Sequence, residues 1–324
     1  MTEYRRVGNS GLSVSVVGLG CNNLGRSNTA TESQEGTDAV VHAALDAGIT
    51  FFDVADNYGR EPGLSETMLG KALAGRRDDV IIGTKFGMDA GGANGPDFGA
   101  RGSRSYIIRA AEASLRRLGT DWIDLYQFHV PDPLTPIDET LAALDELVTS
   151  GKVRYIGHSN RAGWQIAEAE FVARERGGPR FISSQNHYNL LDRRAELEVT
   201  PAAEAYGLGV LPYFPLANGL LTGKVRQGQP IPEGTRLSGR QGYVTDEKLA
   251  KVEALIAWAQ DRGVTLLETA IGALAADPGC SSVIAGATSA EQVKANAAAA
   301  DWTPTEAERA EIDAIVPPPP PSAQ

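Results

Sequence analysis

The stretch Phe51-Phe52-Asp53-Val54-Ala55-Asp56-Asn57-Tyr58-Gly59 starts as an apolar, strand-like run and turns polar at Asp53. A strand that ends on a carboxylate and passes into a polar loop has a buried body and a chemically equipped end. The residues before it, Ser33 to Ala47, carry Val40, Val41, Ala44 and Leu45 at helical spacing and read as a helix. Farther upstream, Val14 to Leu19 reads as a strand. Downstream, Val80 to Thr84 is the next β-branched run. Ser105 to Leu118 follows as a helix with Ile107, Ile108, Ala111 and Leu115 on one face, and Ser103 is its candidate cap. Strand-like Ile123 to Phe128, Val153 to Gly157, Phe181 to Ser184, Leu208 to Leu211 and Ser282 to Ile284 continue the alternation.

Strands alternating with helices imply parallel strands joined by crossovers. About eight such repeats over roughly 300 residues fit an α/β fold of the (β/α)8 TIM-barrel type better than a doubly wound sheet. Tyr4 to Val7 and Leu12 to Val14, flanking Asn9-Ser10-Gly11, are expected to form an N-terminal β-hairpin closing the barrel bottom. No linker or composition break interrupts the chain. A single domain over 1–316 is therefore expected, with 317–324 as a proline-rich, disordered tail. Two irregular stretches, Gly87 to Gly102 and Val225 to Tyr243, are long enough to act as lids.

The formal net charge of -11, from 30 basic against 41 acidic side chains, argues against a nucleic-acid or anionic-membrane surface. No apolar run reaches membrane-spanning length, and the N-terminus enters strand-like sequence with no signal-peptide core. Cys21 and Cys280 lie far apart in sequence and suggest no disulfide framework, so a reducing cytoplasm is the expected location.

A barrel of this kind carries its chemistry at the C-terminal ends of its strands. The residues there are Asp53, then Lys85, His129, Ser159 with Asn160, Gln185 and Tyr213, while Tyr58 follows Asp53 on its loop. Taken singly, each has an ordinary structural explanation as a cap, a surface lysine, a satisfied histidine or a packed aromatic. Together, at successive strand ends, they suit one reaction. A tyrosine is a poor acid at neutral pH, but a neighbouring ammonium favours its phenolate, and Asp53 would hold Lys85 charged. His129 would orient a carbonyl oxygen by hydrogen bonding. One histidine and one aspartate are too few ligands for a metal.

Phe51 to Gly59 strongly resembles the signature of the aldo-keto reductases. Thr84-Lys85, Leu125 to His129, Gly157-His158-Ser159-Asn160, Ser184 to Leu191 and Tyr213 to Lys224 resemble further segments of that family in the right order. The resemblance runs from about Tyr4 to Asn296. It implies an NADPH-dependent carbonyl reductase, with NADH as the less common cofactor, acting on a small aldehyde or ketone. It implies Tyr58 as general acid, completed by Asp53, Lys85 and His129. It further implies that Ser159, Asn160 and Gln185 hold the nicotinamide carboxamide and that Tyr213 stacks on the ring. Phe214, Pro215, Leu216, Asn218 and Lys224 would line the pyrophosphate path, and Gly286, Thr288, Gln292 and Asn296 the adenosine half. Gly20, Cys21 and Asn22 would join the cofactor contacts at the mouth, where Asn22 and Asn23 suggest a somewhat polar substrate.

Several residues depart from the family pattern. His158 replaces a small apolar residue and is expected to place a titratable group near the nicotinamide. Phe214 replaces a common serine, Ala285 a frequent proline and Ala295 a glutamate. Gly286 to Ser289 contains no basic residue for a 2′-phosphate, which leaves Lys294, Arg236 or Arg240 as substitutes. Potassium-channel beta subunits resemble the same branch, so a cofactor-sensing regulatory subunit is the alternative function. The oligomeric state is not legible.

Overall fold

A computed structural model describes residues 3–233, 236–238 and 241–320. Eight parallel strands close into a barrel: β3 (Val17–Gly20), β4 (Phe51–Asp53), β5 (Ile81–Phe86), β6 (Ile123–Phe128), β7 (Val153–Ser159), β8 (Phe181–His187), β9 (Gly209–Tyr213) and β10 (Val283–Gly286). Each pairs with its neighbour in sequence, and β10 returns to both β9 and β3. The crossovers contain α1 (Gln34–Asp46), α2 (Leu64–Ala72), α3 (Arg104–Leu118), α4 (Ile137–Thr149), α5 (Gly163–Arg176), α6 (Ala195–Tyr206), α7 (Asp246–Asp261) and α8 (Leu266–Ala275). After β10 come α9 (Ala290–Ala299) and α10 (Glu306–Ile315). Among the described residues, no helix is long and apolar enough to cross a membrane.

The two-residue period of a strand sorts these sequences into an inner and an outer face. Phe51 and Leu125 lie in an inner cluster with Leu211 and Ile284, whereas Phe52, Ile82, Tyr126 and Ile156 join the layer packed beneath the helices. A Cβ at Gly83 would stand 2.9 Å from the Phe51 ring and 3.5 Å from Gln127, so this glycine leaves room for two inward neighbours. The same parity, carried one step up each strand, turns Asp53, Lys85 and Gln127 inward.

The hairpin is present, with β1 (Tyr4–Arg6) antiparallel to β2 (Ser13–Ser15). Val7, Leu12 and Val14 pack against the inner cluster from below. The chain from Val14 to Leu19 is thus two strands rather than one. Ser13–Ser15 pairs in the hairpin and Val17–Gly20 in the barrel, because one run cannot serve two sheets of different direction. Ser33 caps α1 by accepting from the Gly36 amide. Ser103 occupies the equivalent position before α3, yet its side chain makes no capping bond.

Helix packing is tight where α2 crosses the end of α3. A Cβ at Gly70 would lie 2.7 Å from the Leu118 carbonyl carbon, and backbone cannot yield as a side-chain tip does. Gly70→Ala is expected to cost about 1–3 kcal/mol through overpacking, read as a lower urea midpoint. An unchanged midpoint would contradict this close approach.

Candidate active site

The upper layer of the barrel interior is polar and closed. Lys85 is fully buried on β5, and its ammonium donates to Asp53 Oδ2 at 2.7 Å and to the Val54 carbonyl at 3.0 Å. Asp53 is almost as buried, and its other oxygen accepts from Gln185 Nε2 at 2.8 Å and Gln127 Nε2 at 3.1 Å. The Tyr58 hydroxyl stands 3.4 Å from Lys85 Nζ, and the His129 ring meets the Tyr58 ring edge-on at 5.8 Å. These side chains are brought together although they come from four strands and a loop. His129 Nδ1 is buried without a hydrogen-bond partner among the described residues, an atom left for something not in the chain.

Burial and charge act against each other here. Burial disfavours the Lys85 ammonium, but Asp53 and Tyr58 outweigh it and hold its pKa above the usual lysine range. For Tyr58 the expected downward shift is not found. Burial pushes the phenol up, and the opposing pull of Lys85 only reduces that rise. The acid is thus kept protonated. His129 lies well below the ordinary histidine range, through burial first and the Lys85 charge second, so its imidazole is neutral.

The rim beside this centre fits a primary carboxamide. Ser159 and Gln185 are register partners on β7 and β8 and are both buried. Ser159 Oγ accepts from Asn160 Nδ2, which leaves its own hydrogen to donate, while Gln185 spends its amide hydrogens on Asp53 and Gln127 Oε1 and keeps Oε1 as an acceptor. One donor beside one acceptor complements the C=O and NH2 of nicotinamide. Asn160 also bridges the His129 carbonyl at 3.0 Å and the Tyr213 hydroxyl at 2.8 Å. Tyr213 and Phe214 meet edge-on at 5.1 Å at the mouth.

The other residues expected at the mouth are placed as follows. Pro215 is buried and Leu216 half-buried, and Lys224 is exposed beyond the turn Ala217–Thr222. Phe214, Ala217 and Asn218 hold left-handed backbone at φ 53, 47 and 58, a costly conformation outside glycine. Gly286 ends β10, the Gln292 side chain accepts from the Thr288 amide at 2.9 Å, and Asn296 Nδ2 reaches the Gly286 carbonyl at 3.5 Å. Gly20 ends β3, but the Cys21 thiol is buried and turned back to the Leu19 carbonyl. Asn23 is buried against the Ala287 carbonyl, and Asn22 accepts from Arg236 at 2.6 Å, so neither amide is idle at the mouth. Lys294 is exposed on α9, and Arg240 lies outside the described residues.

His158 is not a mouth residue. Parity turns Gly157 and Ser159 inward and His158 outward, where it is fully buried, edge-on to Phe181 at 5.1 Å.

Gln127 was missing from the expected site, although it lies two residues before His129 and strand parity alone puts it on the same face. A second group invisible in sequence sits behind the centre. Asp56 accepts from Asn94 at 2.6 Å, Asn94 accepts from Arg117 at 3.0 Å, and Arg117 pairs with Glu66 at 2.6 Å. Thr84 donates to the other Glu66 oxygen at 2.6 Å. This network ties the Gly87 to Gly102 loop, through Asn94, to the segment that carries Tyr58.

The sequence profile of the Aldo/keto reductase family matches residues 16–317. The chain is 38% identical over 299 residues to an uncharacterized oxidoreductase, YrpG, of Bacillus subtilis, covering 90% of this chain and 89% of that protein. It is 37% identical over 309 residues to the L-glyceraldehyde 3-phosphate reductase of Escherichia coli K12, covering 91% and 86%. It is also 36% identical over 316 residues to a probable voltage-gated potassium channel subunit beta of Oryza sativa subsp. japonica, covering 93% and 92%.

Asp56 makes stability depend on pH. Burial first, and the nearby Glu66 carboxylate second, raise its pKa to about 8. A carboxyl raised on folding contributes fully below its unfolded value, and the contribution is lost as pH rises through the folded one. Asp56→Asn, which keeps the acceptor for Asn94 and cannot ionise, is expected to be more stable than the parent at pH 9. Every tenfold difference in proton affinity between the folded and unfolded chain is worth roughly 1.4 kcal/mol there, and the gain shrinks toward pH 4. Urea melts at pH 5 and pH 9 check this, and a gain independent of pH would count against it.

Proposed function

Because the chain belongs to the Aldo/keto reductase family, we propose that it reduces an aldehyde or ketone to the alcohol, with NADPH as hydride donor and Tyr58 as general acid. It is an oxidoreductase of a family that acts on small-molecule carbonyl compounds. The observation that carries the finer reading is the 3.4 Å approach of Tyr58 to a lysine whose charge Asp53 holds at 2.7 Å.

The cofactor, when bound, supplies a hydride to the carbonyl carbon. As that carbon is reduced, negative charge builds on its oxygen. The neutral His129 imidazole donates a hydrogen bond that orients this oxygen, and the Tyr58 hydroxyl gives it a proton. The tyrosinate left behind is stabilised by the Lys85 ammonium, which Asp53 keeps protonated and in place. Gln127 and Gln185 prevent Asp53 from turning away. Ser159 and Gln185 would hold the carboxamide with support from Asn160, and Tyr213 would lie against the ring. Gly20, Asn22, Phe214, Pro215, Leu216, Asn218 and Lys224 would follow the pyrophosphate path. Gly286, Thr288, Gln292 and Asn296 would take the adenosine half.

Arg236, whose guanidinium lies 5.1 Å over the Phe214 ring on that path, would pair with the cofactor's pyrophosphate, which NADPH and NADH share. The E. coli relative named for a short phosphorylated aldehyde points to small hydroxylated aldehydes as the first substrates to try. Residues 1–316 would form the working domain. The buried thiols Cys21 and Cys280 suit a reducing cytoplasm.

Tyr58→Phe is expected to lower reduction about 10²- to 10⁴-fold while NADPH affinity, followed by quenching of protein fluorescence, stays nearly unchanged. A variant that keeps most of its activity places the acid elsewhere. Lys85→Met should impair the same step, because without the ammonium nothing opposes the burial that makes Tyr58 a weaker acid.

A further inference from the structure

β8 and β9 end side by side, with His187 in register with Tyr213. Both share the parity of inward-facing Gln185 and Leu211, so their rings emerge together at the mouth. They stack with centroids 5.5 Å apart and planes 16° from parallel. The imidazole is held at both nitrogens: Nδ1 lies 3.2 Å from Asp192 Oδ2, and Nε2 lies 3.2 Å from Asn189 Nδ2.

The orientation of the Asn189 amide is determined by its other partners. Its Oδ1 accepts from the Leu191 and Asp192 amides at 2.9 and 3.0 Å, so Nδ2 must be the end facing His187. Nδ2 also donates to the Phe214 carbonyl at 3.0 Å. A donor facing Nε2 requires a lone pair there, which leaves the proton on Nδ1, pointing at the Asp192 carboxylate. Asn189 is fully buried, so water cannot readily replace a lost partner.

We propose that His187, locked as the neutral Nδ1–H tautomer, is a positioning residue that backs the ring of Tyr213 and, through Asn189, fixes the Phe214 carbonyl, so that together they form a rigid seat for the nicotinamide half of the cofactor. This rests on the cofactor reading above. Tyr213 is then held on one face by His187 and at its hydroxyl by Asn160, which leaves the other face for a ring. Phe214 is held in its left-handed conformation by a hydrogen bond to its carbonyl and by an edge contact with His187 at 5.8 Å.

The seat is sensitive to acid. A second proton would go to Nε2 and set N–H against N–H at Asn189. The charged and titratable groups facing the ring are Asp192, Arg194, Lys248 of α7 and Tyr213. Asp192 favours the extra proton, but burial first, then Arg194 and Lys248, oppose it, and the histidine stays below its ordinary range. The seat is therefore intact at neutral pH and loosens as pH falls.

The test titrates wild type, His187→Ala and His187→Phe with NADPH and with 2′-phospho-ADP-ribose, which lacks the nicotinamide, at pH 7.5 and 5.5. His187→Ala should weaken NADPH roughly two- to tenfold, the range for one lost aromatic stack, and weaken 2′-phospho-ADP-ribose, which keeps the pyrophosphate beside Phe214 but lacks the ring, distinctly less. His187→Phe, which keeps a ring against Tyr213 but leaves Asn189 Nδ2 short of one partner, should restore part of the affinity at pH 7.5 and lack the extra loss of NADPH over 2′-phospho-ADP-ribose that acid causes in wild type. Equal weakening of both ligands, no weakening by alanine, or a phenylalanine variant in which acid weakens NADPH more than 2′-phospho-ADP-ribose, whose 2′-phosphate titrates alike, overturns the proposal. ¹⁵N NMR of the imidazoles in the protein without ligand gives a readout independent of the cofactor, since an Nε2–H tautomer for His187 overturns the lock. If wild type takes up neither ligand, the cofactor reading itself fails, an outcome distinct from all of these.

Discussion

A lysine ammonium cannot enter a protein interior uncompensated, and the rest of this site is arranged around that constraint. Lys85 is fully buried, and one Asp53 oxygen neutralises it at 2.7 Å. Removing either partner would strand a charge, a far larger penalty than the pair contributes when intact. The second Asp53 oxygen cannot be left bare either, and Gln127 and Gln185 occupy it. Gln185 then has only its carbonyl end to offer the rim, and Ser159 beside it has only a hydrogen to offer. The donor and acceptor that the rim would offer a carboxamide are thus partly a by-product of burying one charge.

The polar strand ends were legible because a barrel places them at one mouth by construction, and a strand's parity is countable. Asp53, Lys85, His129, Ser159 and Gln185 needed nothing more. Long-range relations were not legible. Nothing in the spacing of Asp56, Glu66, Asn94 and Arg117 connects them, since they meet only after α2, α3 and the Gly87 to Gly102 loop pack together. His158 misled because its neighbours in sequence face the mouth, while a one-residue step puts its own ring on the opposite face.

The direction in which Tyr58 moves was also out of reach from sequence. A nearby cation and a buried phenol push in opposite directions, and which one prevails depends on how completely water is excluded. Burial prevails here, so in the proposed reaction the ammonium would serve less to make a phenolate in the resting protein than to receive one when the proton leaves.

The hairpin under the barrel has a consequence for traffic. Val7, Leu12 and Val14 seal the lower end against Phe51, Leu125, Leu211 and Ile284, so the described chain offers the polar layer a single doorway. Under the proposed reaction, cofactor and substrate would have to share that doorway. The floor strands touch none of the polar groups, yet they would oblige the deeper visitor to enter first and leave last.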